Sequence, residues 1–449
     1  MTHAIGALDG RYAERIAPLV EYFGEFALMR ARCRVEVVHA LALDEVFGPM
    51  AAKSRAEATR IHDAFSEGDY AGIKAIEATT RHDVKACELY LRDRLSLTNP
   101  NRVHFGLTSE DVNNLAYGTS QQAFVREVQL PQWAKLTARV ASLAVDWADV
   151  PFPSRTHGQH ATPTTAGKEM AVYAERASRL LARLRAHQFR GKFNGATGNY
   201  SAMHVAAPEV DWRAYSKTLI ERLGLEVAMA TTQIEDHDSL GDYLDVVRAW
   251  SNLWMGFCQD VWMYVSYGYM AQRAVAGEVG SSAMPHKVNP INFENAEGNF
   301  QLAASQCGFL SDKLRRSRMQ RDLSGSTVVR NVGTAVGHAY LACEEVLRGL
   351  DRVDLNHVVI AAELNAHPEV LAEAVQSVLR VVESSDAYGR LKDLTRGHEV
   401  TAESLRSFMA TLPEAARARL EGITPASYTG YGAEIAREVG ARVLAECTF

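Results

Sequence analysis

Proline is missing from most of the middle of this chain. None lies between Pro163 and Pro208, between Pro208 and Pro285, or between Pro290 and Pro368. A proline inside a helix removes a hydrogen bond and clashes with the preceding turn, so these intervals permit unusually long helices. The apolar residues keep the matching period. Leu240, Leu244, Val247, Leu253, Trp254, Phe257, Val261 and Val265 follow a spacing of three or four, with Trp250 bridging a gap. Apolar surface wraps most of this helix, which therefore needs cover on all sides, from its own bundle or from neighbouring subunits. A second long helix is expected from Gly167 to Phe189, and a third from about Asp111 to Val150, broken near Pro131. No sustained period-two alternation reads as a sheet. The expected fold is all-α.

A chain of 449 residues exceeds a single ordinary core. Turn-forming residues at Ser96–Asn101 and a weaker break at Asp351–Asn356 suggest three helical domains, at residues 1–98, 99–350 and 351–449. The composition is 47% hydrophobic and 23% charged, with a formal net charge of −6. That weak acidity argues against a nucleic-acid or membrane-surface binder, which would show a basic bias. Cys33, Cys87, Cys258, Cys307, Cys343 and Cys447 lack any Cys-x-x-Cys spacing and read as buried free thiols of a reducing compartment. The apolar run Ala249–Met270 carries Asn252, Gln259 and Asp260, so it reads as a helix buried in protein rather than a membrane span. The N-terminus shows no basic stretch followed by an apolar run, and a cytoplasmic location is expected.

Five polar clusters carry the candidate chemistry. Gly280-Ser281-Ser282-Ala283-Met284-Pro285-His286-Lys287-Val288-Asn289-Pro290 combines a permissive glycine, two hydroxyls, an ammonium and an amide. Those are the parts of a loop that folds over a small anion. Asp9-Gly10-Arg11-Tyr12 offers a guanidinium beside a turn glycine, a fork for phosphate or carboxylate. Thr79–Lys85 and Val103–Asp111 contribute Arg81, His82, Asp83, His104, Thr108 and Ser109; either Thr108 or Ser109 suits an N-cap, leaving the other for an anion. Ser154–Pro163 holds His157 and His160. No carboxylate or cysteine is adjacent in sequence, so proton transfer suits them better than metal binding. Ser317–Asn331 interleaves Arg318, Arg321 and Arg330 with hydroxyls that suit a phosphorylated ligand. Neither a Walker loop nor a dinucleotide fingerprint occurs.

Together these strings resemble the fumarase/aspartase superfamily, and within it the adenylosuccinate lyases carrying Arg-Thr-His-Gly-Gln and Met-Pro-His-Lys-Val-Asn-Pro. The likeness runs from Asp9 to Leu394–Gly397 and Ile423–Ala426. It implies an all-α fold with a central long-helix bundle forming the core of a homotetramer, and active sites assembled from three subunits. The implied chemistry is β-elimination of fumarate from phosphorylated succinyl-nucleotides: adenylosuccinate, giving AMP, and SAICAR, giving AICAR. By the same likeness Ser281 is the general base, His157 the general acid and Glu294 its carboxylate partner. Lys287 and Asn289 would hold the succinyl carboxylate. Arg11, Tyr12, Arg81, His82, Asp83, Thr108, Ser109, Gln233, Arg321, Ser326 and Arg330 would contact phosphate and nucleotide. No cofactor or metal is implied. Relatives acting on fumarate, aspartate or argininosuccinate need no phosphate site, so the arginine set argues against them. One position departs from the family pattern: where Gln-Pro-Ala-Thr-Pro is usual, this chain reads Gln159-His160-Ala161-Thr162-Pro163. His160 is expected to stand behind the acid, with His157 keeping that role.

Overall fold

The computed structural model describes residues 3–273, 287–382 and 401–448. Among these the chain is chiefly α-helical. The proline-free intervals become the helices Ala166–Ala186, Asp238–Ser266, Ile291–Leu314 and Val332–Leu350, the longest of 29 residues. The third expected helix is not broken at Pro131. It runs as Ser109–Phe124, a π-helical turn at Val125–Gln129, and Leu130–Asp146. The Leu130 N–H bonds the Val125 carbonyl five residues back, and this widened turn carries the backbone past the proline ring.

The expectation of no strands is corrected. Among the described residues three two-stranded sheets form, and the largest of them joins β1 (Pro151–Thr156) to β2 (Gln159–Thr165) as an antiparallel hairpin. Its strands are short and rich in threonine and proline, and a register shift between Phe152 and Ser154 interrupts the alternation that would reveal them. Close packing follows directly: a Cβ on Gly167 would lie 2.4 Å from the Ala144 carbonyl oxygen, so only glycine fits there.

The chain divides into two compact units. The first comprises Met1–Gln132, Ala182–Asn252 and Gly298–Ala342; the second comprises Trp133–Leu181, Leu253–Glu297 and Cys343–Phe449. In the first, Met29, Cys33, Val37, Cys87, Tyr90 and Leu91 share one buried cluster. In the second, Phe152, Ala166, Tyr269, Ile360 and Leu364 pack beneath the hairpin, and Leu371, Val375, Leu379, Leu405 and Leu420 form a separate cluster. All six cysteines are buried thiols outside any disulfide. No described helix is long and apolar enough to cross a membrane. Large apolar side chains nonetheless stay uncovered on the long helices, with Trp262 40%, Leu302 49% and Phe309 59% exposed.

Buried His39 sets a pH dependence. Its Nε2 lies 2.9 Å from the Phe105 carbonyl and its Nδ1 2.8 Å from the Tyr215 hydroxyl. The carbonyl can only accept, so Nε2 carries the proton and Nδ1 accepts from the tyrosine. Burial pushes this imidazole down to about 3, whereas the unfolded chain takes up the proton near the ordinary value of about 6.5. The unfolded state then binds more protons, so this contribution to stability is full above about pH 6.5 and falls as the pH drops towards 3. Urea midpoints should decline across that range. His39→Gln, which keeps a donor and an acceptor, should flatten the decline; an unchanged slope would contradict the assignment.

Candidate active site

The first unit gathers most of the residues expected to bind phosphate. The Glu67–Thr80 helix stops at Arg81, whose left-handed backbone (φ 53°) returns its N–H to the Glu77 carbonyl. His82 then caps the Asp83–Arg94 helix, its Nδ1 accepting the Lys85 N–H at 3.2 Å. His82 is therefore a half-exposed helix cap. Behind it, Asp83 Oδ2 lies 2.9 Å from the buried Arg32 and 2.7 Å from Arg330. Burial pushes the Asp83 carboxyl up, but Arg32, Arg330 and the Val84 N–H outweigh it and bring it down to about 2. Asp83 thus holds Arg330 in place as an anion would.

Arg321 is held in a similar frame. It reaches Glu110 at 3.0 Å, the Gln233 Oε1 at 3.0 Å and the Ser326 Oγ at 3.3 Å. Gln233, Arg321 and Ser326, far apart in sequence, thus share one hydrogen-bonded group. Ser326 and Arg330 also line a narrow cleft with Arg32, Glu110, Tyr117, His237 and Arg316. Thr108 and Ser109 begin the Ser109–Phe124 helix, where the Thr108 N–H donates to Asp111 Oδ2 at 2.8 Å. Arg11 is exposed, stacked 5.8 Å from the Tyr12 ring, and Tyr12 packs on Leu8, Ile16 and Leu341. Neither joins the Arg321 group. His104 is partly buried against Glu36, and although burial alone would lower its imidazole, the adjoining carboxylate raises it.

Beneath these residues lies a pair that the sequence does not announce. Lys192 and Asp111 are both fully buried, with Nζ 3.0 Å from Oδ1. Lys192 also donates to the carbonyls of Gly195 at 3.0 Å and Gln233 at 2.7 Å, while Asp111 accepts the Asn194 N–H at 2.9 Å. One ion pair therefore fixes the backbone on both the Thr108 and the Gln233 sides. Arg32, Glu110, Asp111 and Lys192 were not among the expected site residues, although Glu110 and Asp111 lie in the Val103–Asp111 cluster.

The second unit carries His157 at the tip of the hairpin. His157 (φ 53°) and Gly158 (φ 76°) are both left-handed, as a two-residue turn of this hand requires. Glycine adopts this freely, whereas a histidine there costs on the order of 1–2 kcal/mol. Among the described residues nothing hydrogen-bonds the His157 imidazole. Glu294, its expected partner, instead accepts the Trp262 indole N–H at 3.1 Å. The pairing of His157 with Glu294 is not made within the single chain. Lys287 is exposed and Asn289 half-buried just ahead of the Ile291–Leu314 helix. Ser281 and Leu394–Gly397 lie outside the described residues.

Comparison with known proteins supplies the remaining context. The sequence pattern of a family described as lyase matches residues 10–304, and that of the adenylosuccinate lyase C-terminal region matches residues 317–429. The chain is 42% identical to the adenylosuccinate lyase of Escherichia coli (strain K12), covering 95% of this chain and 96% of that one. It is 41% identical to the adenylosuccinate lyase of Legionella pneumophila (strain Corby), covering 97% and 98%. Among solved structures, 3-carboxy-cis,cis-muconate lactonizing enzyme from Pseudomonas putida superposes with a TM-score of 0.75 at 21% identity, covering 96% of this chain and 97% of that one. Fumarate lyase from Mesorhizobium sp. BNC1 gives 0.76 at 17% identity, covering 95% and 97%. These two likenesses bear on the chiefly helical fold alone.

Proposed function

The chain belongs to the adenylosuccinate lyase family, and on that premise we propose how its dispersed clusters carry out one elimination. It is a fumarate-releasing carbon–nitrogen lyase that converts adenylosuccinate to AMP. The observation that carries this conclusion is the near-full-length likeness to curated adenylosuccinate lyases. The second substrate is SAICAR, which presents the same succinyl-amine and a ribose phosphate.

Ser281 takes the proton from the succinyl carbon next to the one bearing nitrogen. The electron pair left behind forms the double bond of fumarate, and the carbon–nitrogen bond breaks with its pair going to nitrogen. His157 protonates that nitrogen. Serine is far too weak a base in water, so its loop must close, exclude solvent and stabilise the charge that develops. Lys287 and Asn289 hold the succinyl carboxylate for that purpose. Arg11, Tyr12, Arg81, His82, Asp83, Thr108, Ser109, Gln233, Arg321, Ser326 and Arg330 hold the nucleotide. The hydrogen-bonded Arg321–Gln233–Ser326 group supports their share of this reading.

We assign the working form to a homotetramer whose sites are shared between subunits. The exposed Trp262, Leu302 and Phe309 support it, since apolar surface on long helices needs cover. The open imidazole of His157 supports it too, with Glu294 brought to it by another chain. Buried free thiols favour a reducing compartment, the cytoplasm.

Purified protein mixed with adenylosuccinate should change its ultraviolet spectrum, with AMP and fumarate appearing in equal amounts. An unchanged spectrum at micromolar protein would refute the assignment. Within the hairpin, His157→Ala should lose more turnover than His160→Ala, because the acid sits at the turn. The opposite order would move the acid to His160.

A further inference from the structure

We propose that His160, Glu363 and His367 form a binding site for one divalent cation of the zinc class. The second unit brings their ligand atoms within 4.8 Å of one another, and each side chain is partly open to solvent. The His160 Nε2 is 3.7 Å from the Glu363 Oε1. Tetrahedral zinc with bonds of 2.0–2.1 Å sets its ligand atoms about 3.4 Å apart, so the three side chains must draw in and the two imidazoles turn out of their stack to bind one ion.

The surroundings resemble the outer shell of a metal site. His367 Nδ1 lies 2.7 Å from Glu369 Oε1. A carboxylate can only accept, so Nδ1 carries the hydrogen and the Nε2 lone pair is left for a cation. Glu363 takes the Arg155 guanidinium at 2.7 Å and the Tyr269 hydroxyl at 2.9 Å, both on Oε1. Those bonds fix the carboxylate, so a cation would either displace one of these donors from Oε1 or bind Oε2. Glu363 and His367 are one helical turn apart at the end of the His357–Ala366 helix, a spacing that puts both on one face. His160 reaches them from β2. The rings of His160 and His367 stack at 3.4 Å between centroids and 19°. An imidazole binds a metal in its own plane, so ligation must splay this stack. Two imidazoles and one carboxylate suit zinc, cobalt, nickel or copper rather than magnesium or calcium.

Two of these ligands were hidden from a local reading. No carboxylate adjoins His160 in sequence, and the residue stands where the family pattern has proline, which offers no ligand at all. The cation would tie the hairpin that bears His157 to the helix end bearing His367. This inference does not rest on the reaction assigned above.

Calorimetric titration of the chelator-treated full-length protein with zinc chloride should show one ion per chain. His160→Ala and His367→Ala should each weaken binding by about tenfold or more, and Glu369→Gln by a similar factor through the ring it orients. Cobalt should give visible absorption that disappears in the same variants. In the unaltered protein, zinc should protect His160 and His367 from diethylpyrocarbonate, read by peptide mass. Affinity unchanged in both histidine variants, or modification of both histidines unaffected by zinc, would overturn the proposal.

Discussion

Ser281→Ala should lower turnover of adenylosuccinate by about 10²–10⁴-fold, the range typical of losing a general acid or base. Substrate affinity should change little, because the proposed nucleotide contacts, Arg321 and Arg330 among them, lie elsewhere in the chain. The loss should therefore fall on kcat, as expected for an interaction made only in the transition state. Single-turnover kinetics beside equilibrium binding of substrate measures both quantities. Retained turnover would move the base to Ser282 or away from the loop, and lost binding would make Ser281 a contact rather than a base.

Lys192→Met should destabilise the fold by about 3–5 kcal/mol, the usual cost of leaving one partner of a buried ion pair unpaired. Lys192 and Asp111 have no exposed surface. Removing the ammonium leaves the Asp111 carboxylate and the carbonyls of Gly195 and Gln233 short of a donor. A lower urea midpoint measures the first effect. The second should be a raised KM, because Gln233 and Thr108 both rest on this pair. A midpoint shift worth less than about 1 kcal/mol would show that water or another group replaces the ammonium.

The long helices were legible because two independent signals agreed, the proline gaps and the three-to-four spacing of apolar residues. The helix through Pro131 was read as broken because a proline usually ends a helix, and a π-helical turn leaves no pattern in composition. The hairpin was missed for a related reason. Its strands are short, and its best clue was the His157-Gly158 pair, which signals a two-residue turn only once strands are suspected on both sides. The site was legible as clusters and illegible as an arrangement. Asp83 stood out as a charge, yet its bonds to Arg32 and Arg330 depend on contacts between distant segments. Gln233 carried no local signal and entered only through family likeness, and its bond to Arg321 appears only in the folded chain. Lys192, set between Gly191 and Phe193, looks like a surface charge until burial is known.

The account stands or falls on whether one chain's acid works with another chain's base. Ser281→Ala and His157→Ala, each inactive alone, should regain activity when their subunits are mixed and exchanged. In randomly mixed tetramers roughly a quarter of the shared sites would hold both intact side chains. Recovery approaching a quarter of the unaltered rate is the predicted result. Hybrid oligomers verified by mass that remain as inactive as either parent would contradict it.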